Sequence, residues 1–283
     1  MSIDFCHIVT TPHLKKFVDG RSTHLALAHL IDTDEEYTAF YSSQQGSTII
    51  LDNSAFEMYK QGRPMYPSDK LVEMGHRIGA DYIVMSDYPN QKGQDTIDAA
   101  VALAPTFREE GFKTFFVPQS EIGDKEDYIQ TFRWAAQSEH VDYIGISILG
   151  VPNAYGVEKN NKLQRFLSRW KMMRELYDRG LLEFARYHGK KIHFLGMVDG
   201  PNEITLMSDL ARYIDTWDSS AAVWAGLNNI SFDDSPTGLV DGKFEVEVDF
   251  NFETGDNELF EIAMKNMNYI DGLCRSSINE YQV

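Results

Sequence analysis

Positive charge, cysteine and long apolar runs are all scarce in this 283-residue chain. Only Cys6 and Cys274 occur, too few and too far apart for a disulfide framework or a Cys-x-x-Cys metal site. No stretch nears the roughly 18 uninterrupted apolar residues of a membrane span, and Met1-Ser-Ile-Asp4 lacks the basic and apolar regions of a signal peptide. A cytoplasmic protein with reduced thiols and no membrane partner is the expectation. Missing too are Gly-x-Gly-x-x-Gly and the phosphate-loop lysine signature, which argues against an open nucleotide-binding sheet. Lys and Arg number 26 against 43 Asp and Glu, giving a net charge of −17, unfavourable for a partner gripped by its phosphates.

That shortage is uneven. Residues 159–191 carry ten Lys or Arg against three acids, a local charge of +7, which leaves −24 on the rest of the chain. Such asymmetry is either an electrostatic footprint for a polyanion or the solvated face of a helix. As a footprint it would use Lys159, Lys162, Arg165, Arg169 and Arg174.

With 43% hydrophobic residues the chain can bury a sizeable core, and α/β barrels of this length are commonly one domain. Eight strand candidates fall at residues 5–9, 23–31, 48–52, 82–86, 114–118, 143–147, 192–197 and 215–219. Between several of them, residues 66–78, 96–110, 125–136, 161–178 and 202–210 place apolar and charged residues at helical spacing. Gly79, Gly111 and Gly189 fall where such helices stop. This alternation predicts a (β/α)8 TIM-type barrel, a single domain spanning residues 1–283. Residues 10–21 read as a polar loop over the barrel mouth. Phe244 to Phe252 alternates apolar and polar after the turn signal Asp241-Gly242, which predicts a β-hairpin inserted at about residues 230–254. Residues 257–278 read as a closing helix.

Three aspartates stand where buried-strand patterns run out: Asp52 after Thr48-Ile-Ile-Leu, Asp87 after Tyr82-Ile-Val-Met-Ser, and Asp218 after Thr216-Trp217. In a barrel of parallel strands the chemistry collects at the strand C-termini. A strand-end aspartate can also cap the following helix. The run Thr114-Phe-Phe-Val-Pro ends in Gln119, and Tyr143-Ile carries Gly145. The set suggests a pocket with two catalytic carboxylates and groups able to read a heterocycle.

At Leu51-Asp52-Asn53-Ser54-Ala55-Phe56-Glu57 and Asp215-Thr-Trp-Asp218-Ser219 the chain resembles the tRNA-guanine transglycosylase superfamily, whose third strand ends in Asp-Ser-Gly-Gly-Phe-Gln and whose eighth carries Asp-x-Phe-Asp-Cys. The similarity continues in order through Asp81 to Asp87, Phe116-Val-Pro-Gln119, Tyr143-Ile-Gly145 and His193-Phe-Leu195-Gly196, from about residue 48 to 220. The resemblance implies base exchange at an N-glycosidic bond through a covalent glycosyl-enzyme intermediate. Asp218 would be the nucleophile and Asp52 the proton carrier, roles that suit paired carboxylates. Asp87 would accept from the guanine N1 and N2 hydrogens, Gln119 would address O6 or N7, and the backbone at Gly145 would approach the flat base. Phe56 and Leu195 would sandwich it.

Departures are informative. The superfamily's Cys-x-Cys-x-x-Cys and distant His are absent, so no cofactor or metal is expected. Ser54 and Ala55 replace two glycines, Ile146 replaces another, and Ser220-Ala-Ala-Val-Trp replaces an arginine-bearing segment. His24 and His29, read on one strand, would face opposite sides. A compact, acidic chain without an RNA-binding appendage looks most like the phage-type branch that puts 7-deazaguanine into DNA, placing it in a host cytoplasm. The implied partners are a preQ0- or preQ1-like base and a nucleic acid, DNA ahead of tRNA, with a homodimer allowed. An N-glycoside hydrolase using water is the alternative.

Overall fold

In the computed structural model, which describes residues 3–198, 200–232 and 247–279, eight parallel strands form a nearly closed barrel with helices between them. The strands are β1 Asp4–His7, β2 Thr23–Leu27, β3 Thr48–Asp52, β4 Tyr82–Val84, β5 Lys113–Phe116, β6 Tyr143–Ser147, β7 Lys191–Leu195 and β8 Thr216–Ser219. From β2 to β8 each strand pairs with the next in sequence, and β1 pairs with β8 in a register that sets Cys6 opposite Asp218. Only β1 and β2 share no ladder, so the hydrogen-bonded order runs from β1 through β8 round to β2. Thr23 Oγ1 bridges that seam to Asp4 Oδ2 at 3.2 Å, and Arg21 reaches Asp271 of the last helix at 2.8 Å.

Rings fill the barrel interior. Tyr143 stacks on Phe115 with centroids 5.2 Å apart and meets Tyr82 edge-on at 5.1 Å. His193 closes on Phe115 at 5.4 Å. A Cβ on Gly145 would stand 2.6 Å from Phe115 Cε2 and 2.9 Å from Leu195 Cδ1, so glycine is required there for the Phe115 ring to lie inside the barrel. This packed floor leaves the strand C-termini as the open end.

Helices pack outside by the spacing of their apolar residues. Ser68–Ile78 buries Leu71, Met74, Gly75 and Ile78, and Lys125–Gln137 buries Tyr128, Ile129, Phe132 and Ala136. Asp124 caps the second by accepting from Asp127 N at 3.0 Å. Gly79, Gly111 and Gly189 sit at helix ends with positive φ, as their positions predict.

Two expectations change, and a third lies largely outside the described residues. The apolar run 23–31 is not one strand: β2 ends at Leu27 and Ala28–Thr33 is helical, so His24 and His29 lie on different elements. Residues 10–21 are not a polar loop, because the turn Thr11–His13 and the short helix Leu14–Phe17 bury Leu14, Phe17 and Val18. The hairpin expected at 230–254 falls largely outside the described residues, and the described portions, 230–232 and 247–254, contain no strand. Residues 247–254 strap the mouth. Thr11 N donates to Phe250 O at 2.9 Å, Thr254 N to His13 Nε2 at 3.2 Å, and Lys60 pairs with Glu247 at 2.8 Å. The closing helix Asn257–Asn279 then packs on Ala221–Leu227, where Gly226 lets the Ala263 backbone approach. Among the described residues no helix is long and apolar enough to cross a membrane.

Candidate active site

β3 delivers Asp52 to the open end, and the backbone bends sharply behind it. Ser54 has φ of 56°, the left-handed region that L residues rarely enter. Local bonds hold it there: Ser54 N donates to Asp52 Oδ2 at 2.9 Å, and Ser54 Oγ accepts from His29 N at 3.2 Å and contacts His29 Nδ1 at 3.0 Å. Burial drives His29 down to about 4, so the ring is neutral near pH 7 and its Nδ1 can accept from the hydroxyl. Burial pushes the Asp52 carboxyl well above the usual carboxylate range, and the nearby charges of Glu57, Asp218 and Asp87 raise it further. Asp52 is therefore a carboxyl biased toward holding a proton.

β4 and β5 contribute a buried amide and acid network. Asp87 Oδ1 accepts from Asn53 Nδ2 at 2.9 Å, and Oδ2 accepts from Gln119 Nε2 at 2.6 Å. Asn53 also donates to Met85 O and accepts from Ala55 N, which ties the network to the turn after β3. Burial lifts Asp87 to about 6, against the pull of its two amide donors. Gln119 Oε1 is buried with no hydrogen-bond partner among the described residues. An unsatisfied buried carbonyl is costly and invites explanation.

β8 places Asp218 beside β7. Asp218 Oδ1 accepts from Gly196 N at 3.0 Å and bonds His193 Nε2 at 2.9 Å. Behind it, His193 Nδ1 meets Thr216 Oγ1 at 2.5 Å, and Thr216 Oγ1 meets Tyr143 OH at 3.0 Å. A hydrogen-bonded chain thus runs from Asp218 into the barrel floor. Among the described residues Asp218 Oδ2 has no protein partner, which leaves one carboxylate oxygen available to a ligand.

Phe56 lies in the helix Ala55–Gln61 at the mouth, 44% exposed, while Leu195, half-buried at the end of β7, packs against the core. Gly145 is accounted for by the crowding of Phe115 beneath the mouth. Two site groups escape the sequence reading. His193 lies mid-pattern in an apolar strand, where histidine reads as core, and Glu57 stands on a helix rather than at a strand end. Burial raises the Glu57 carboxyl, and the charge of Asp218 adds to it.

The basic segment divides by depth. Arg169 does not face solvent: it is 0% exposed, paired with Glu203 at 2.6 Å, and cannot touch a polymer. Arg174 belongs to the C-terminal half of Lys162–Asp178 and pairs with Asp178 and Asp209. Arg179 is paired with Glu126 and Glu175, and Arg186 with Asp215. Lys159, Lys162 and Arg165 stand at the start of that helix, which follows β6 and so begins on the mouth side.

Cys6 and Cys274 are both free and buried. Among the described residues no three His, Cys, Asp or Glu side chains gather as a metal-binding group. A surface depression of about 480 Å³ lies along Lys162–Asp178, lined by Trp170, Arg174 and Arg179, and none of Asp52, Asp87 and Asp218 lines it. Neither a protein-family model nor a curated protein matches this chain, so the chemistry of the mouth has to be read from Asp52, Asp87, Asp218 and the groups that hold them.

Proposed function

We propose that this barrel is a nucleic-acid guanine transglycosylase, exchanging guanine for a 7-deazaguanine base of the preQ0 or preQ1 type, with DNA as the favoured polymer. The observation that carries the reading is the unequal carboxyl pair at the mouth. Asp218 has one oxygen anchored by His193 and Gly196 and the other unengaged, and it neighbours Asp52, a carboxyl that burial biases toward its protonated form. One nucleophile and one acid are what displacement at a glycosidic carbon requires.

In the first half-reaction the free oxygen of Asp218 attacks C1′, the bond from C1′ to the base nitrogen breaks, and the Asp52 proton passes to the departing guanine. The product is a glycosyl ester on Asp218. In the second, the ring nitrogen of the incoming base attacks C1′, the ester oxygen leaves as the Asp218 carboxylate, and the nitrogen's proton returns to Asp52. Asp87, once ionised, accepts the N1 and N2 hydrogens, and the Gln119 amide, which gives one N–H to Asp87, donates its second N–H to O6 or N7. Phe56 offers an exposed ring for stacking.

The test is incubation of purified protein with labelled guanine and either single-stranded DNA, duplex DNA or tRNA. Label should enter DNA, and the Asp218→Asn protein should give neither incorporation nor a covalent adduct by mass spectrometry. Release of guanine without incorporation would replace the reading with a hydrolase, and no reaction on any polymer would refute it.

A further inference from the structure

Arg169 is the least expected residue of the barrel: a fully buried arginine on an outer helix whose head lies at the ends of β6 and β7. All five of its N–H groups are used. Nε and one Nη donate to the two oxygens of Glu203, both at 2.6 Å. The rest go to main-chain carbonyls: Ile146 O at 3.0 Å, Leu195 O at 2.9 Å and Gly196 O at 2.8 Å. The guanidinium lies over Phe194 at 4.8 Å and Trp217 at 5.3 Å. Glu203 Oε2 also accepts from Val198 N at 3.0 Å, so the pair holds both sides of the turn that leaves β7.

That turn carries the Asp218 contact. The peptide joining Leu195 and Gly196 receives Arg169 on its oxygen and donates its N–H to Asp218 Oδ1. The next carbonyl, Gly196 O, accepts from Arg169 and from Trp217 Nε1 at 2.8 Å. Gly196 has φ of 68°, and a Cβ there would lie 2.9 Å from Ile148 Cδ1, so no side chain of its own can steady the turn. Arg169 steadies it from behind.

We propose that the Arg169–Glu203 pair is a positioning device for Asp218: it locks the Leu195–Gly196 peptide and aims its N–H at Oδ1, which turns Oδ2 toward the mouth. A cationic donor on the carbonyl of a peptide also polarises the N–H of that peptide, strengthening the bond to the carboxylate. The catalytic consequence rests on the transglycosylase reading, whereas the geometric one does not.

The experiment separates the two. The sequence contains only two Leu–Gly peptides, 149–150 and 195–196, so carbonyl-labelled leucine with nitrogen-labelled glycine gives two amide signals, one of them Gly196. That signal should move in Asp218→Asn, which identifies it, and should move again in the double variant Arg169→Met with Glu203→Leu, which removes both buried charges together and avoids leaving one unpaired. In exchange assays kcat of the double variant should fall about 100-fold, the scale of a small misplacement of a reacting group, with KM for the free base unchanged. If the double variant fails to fold, Arg169→Lys keeps the charge and loses the fork, and should give the same signal shift with about a 10-fold fall in kcat. An unmoved Gly196 signal, or wild-type kcat in a folded variant, overturns the positioning role. If the wild-type protein exchanges no base at all, the functional reading falls and the amide signal alone decides the clamp.

Discussion

Asp87→Asn is the sharpest perturbation the site offers, because it bears on stability and recognition with opposite signs. Burial lifts the Asp87 carboxyl from an ordinary 3.8 to about 6. A raised carboxyl favours the folded state most when protonated. Its contribution is complete below the unfolded value and is lost as pH rises through the folded value, so the folded protein bears a penalty of about 3 kcal/mol once both states are ionised. Between about pH 4.5 and about pH 7.5, roughly 2 kcal/mol of that penalty develops. An asparagine never ionises, and it need not break the network: Gln119 Oε1 has no partner, so the Gln119 amide can turn over and accept from the side-chain amide introduced at position 87. Urea unfolding of both proteins at the two pH values should therefore show Asp87→Asn losing about 2 kcal/mol less than wild type on raising the pH. Asp52 and Glu57 are raised in the same direction and are common to both proteins, and the Asp87 charge is the smallest contributor to the Asp52 shift, so the difference is dominated by Asp87. Base binding should respond oppositely, strengthening in wild type as pH rises through about 6 and weakening at least tenfold in the variant at neutral pH, since the acceptor pair for N1 and N2 is gone. Equal pH dependence of stability in the two proteins would refute the buried, raised carboxyl and with it the recognition argument.

Other outcomes follow from the mouth. Reversing Lys159, Lys162 and Arg165 to Glu should weaken polymer binding and lower the slope of log affinity on log salt by up to about 3, while Arg174→Glu, at the other end of the helix, should leave it unchanged; titrations at several salt concentrations distinguish them. Phe56→Ala should cost about 1–3 kcal/mol of base or single-strand binding if the exposed ring stacks, and equal affinities by fluorescence titration would remove it from the site. Prolonged dialysis against chelators should leave exchange and unfolding midpoint unchanged, and a fall in either that zinc restores would assign a metal to the chain.

The barrel is legible because strands covered on both faces leave unbroken apolar runs, and β3 and β6 begin and end where those runs do. The run at 23–31 misleads for the same reason: β2 and the helix Ala28–Thr33 are both buried, and burial on all sides erases the difference between the two periods. Glu35–Ser42 escapes the periodicity although Asp34 caps it and Tyr37, Thr38 and Tyr41 share its inner face. At the mouth, Asp52, Asp87, Gln119 and Asp218 are readable from strand ends. Arg169 is misread because counting charge along a chain is blind to depth, and a buried arginine contributes to the count but not to the surface field. His193 is passed over because its partners, Asp218 and Thr216, come from the neighbouring strand.

The seam between β1 and β2 bears on all of this. Going round the barrel, the strands that carry Asp218 and Asp52 are β8 and β3, and between them stand β1 and β2, the one neighbouring pair without a ladder. Every other spacing around the rim is fixed by rows of main-chain bonds. The span between Asp218 and Asp52 is instead set by side chains, Thr23 to Asp4 and Arg21 to Asp271, and by the strap at Thr11 and Phe250. The mouth is built like a clasp, stiff around most of its circumference and elastic along the single gap that Asp52 and Asp218 straddle, so the separation of those two carboxyls is the barrel's softest dimension.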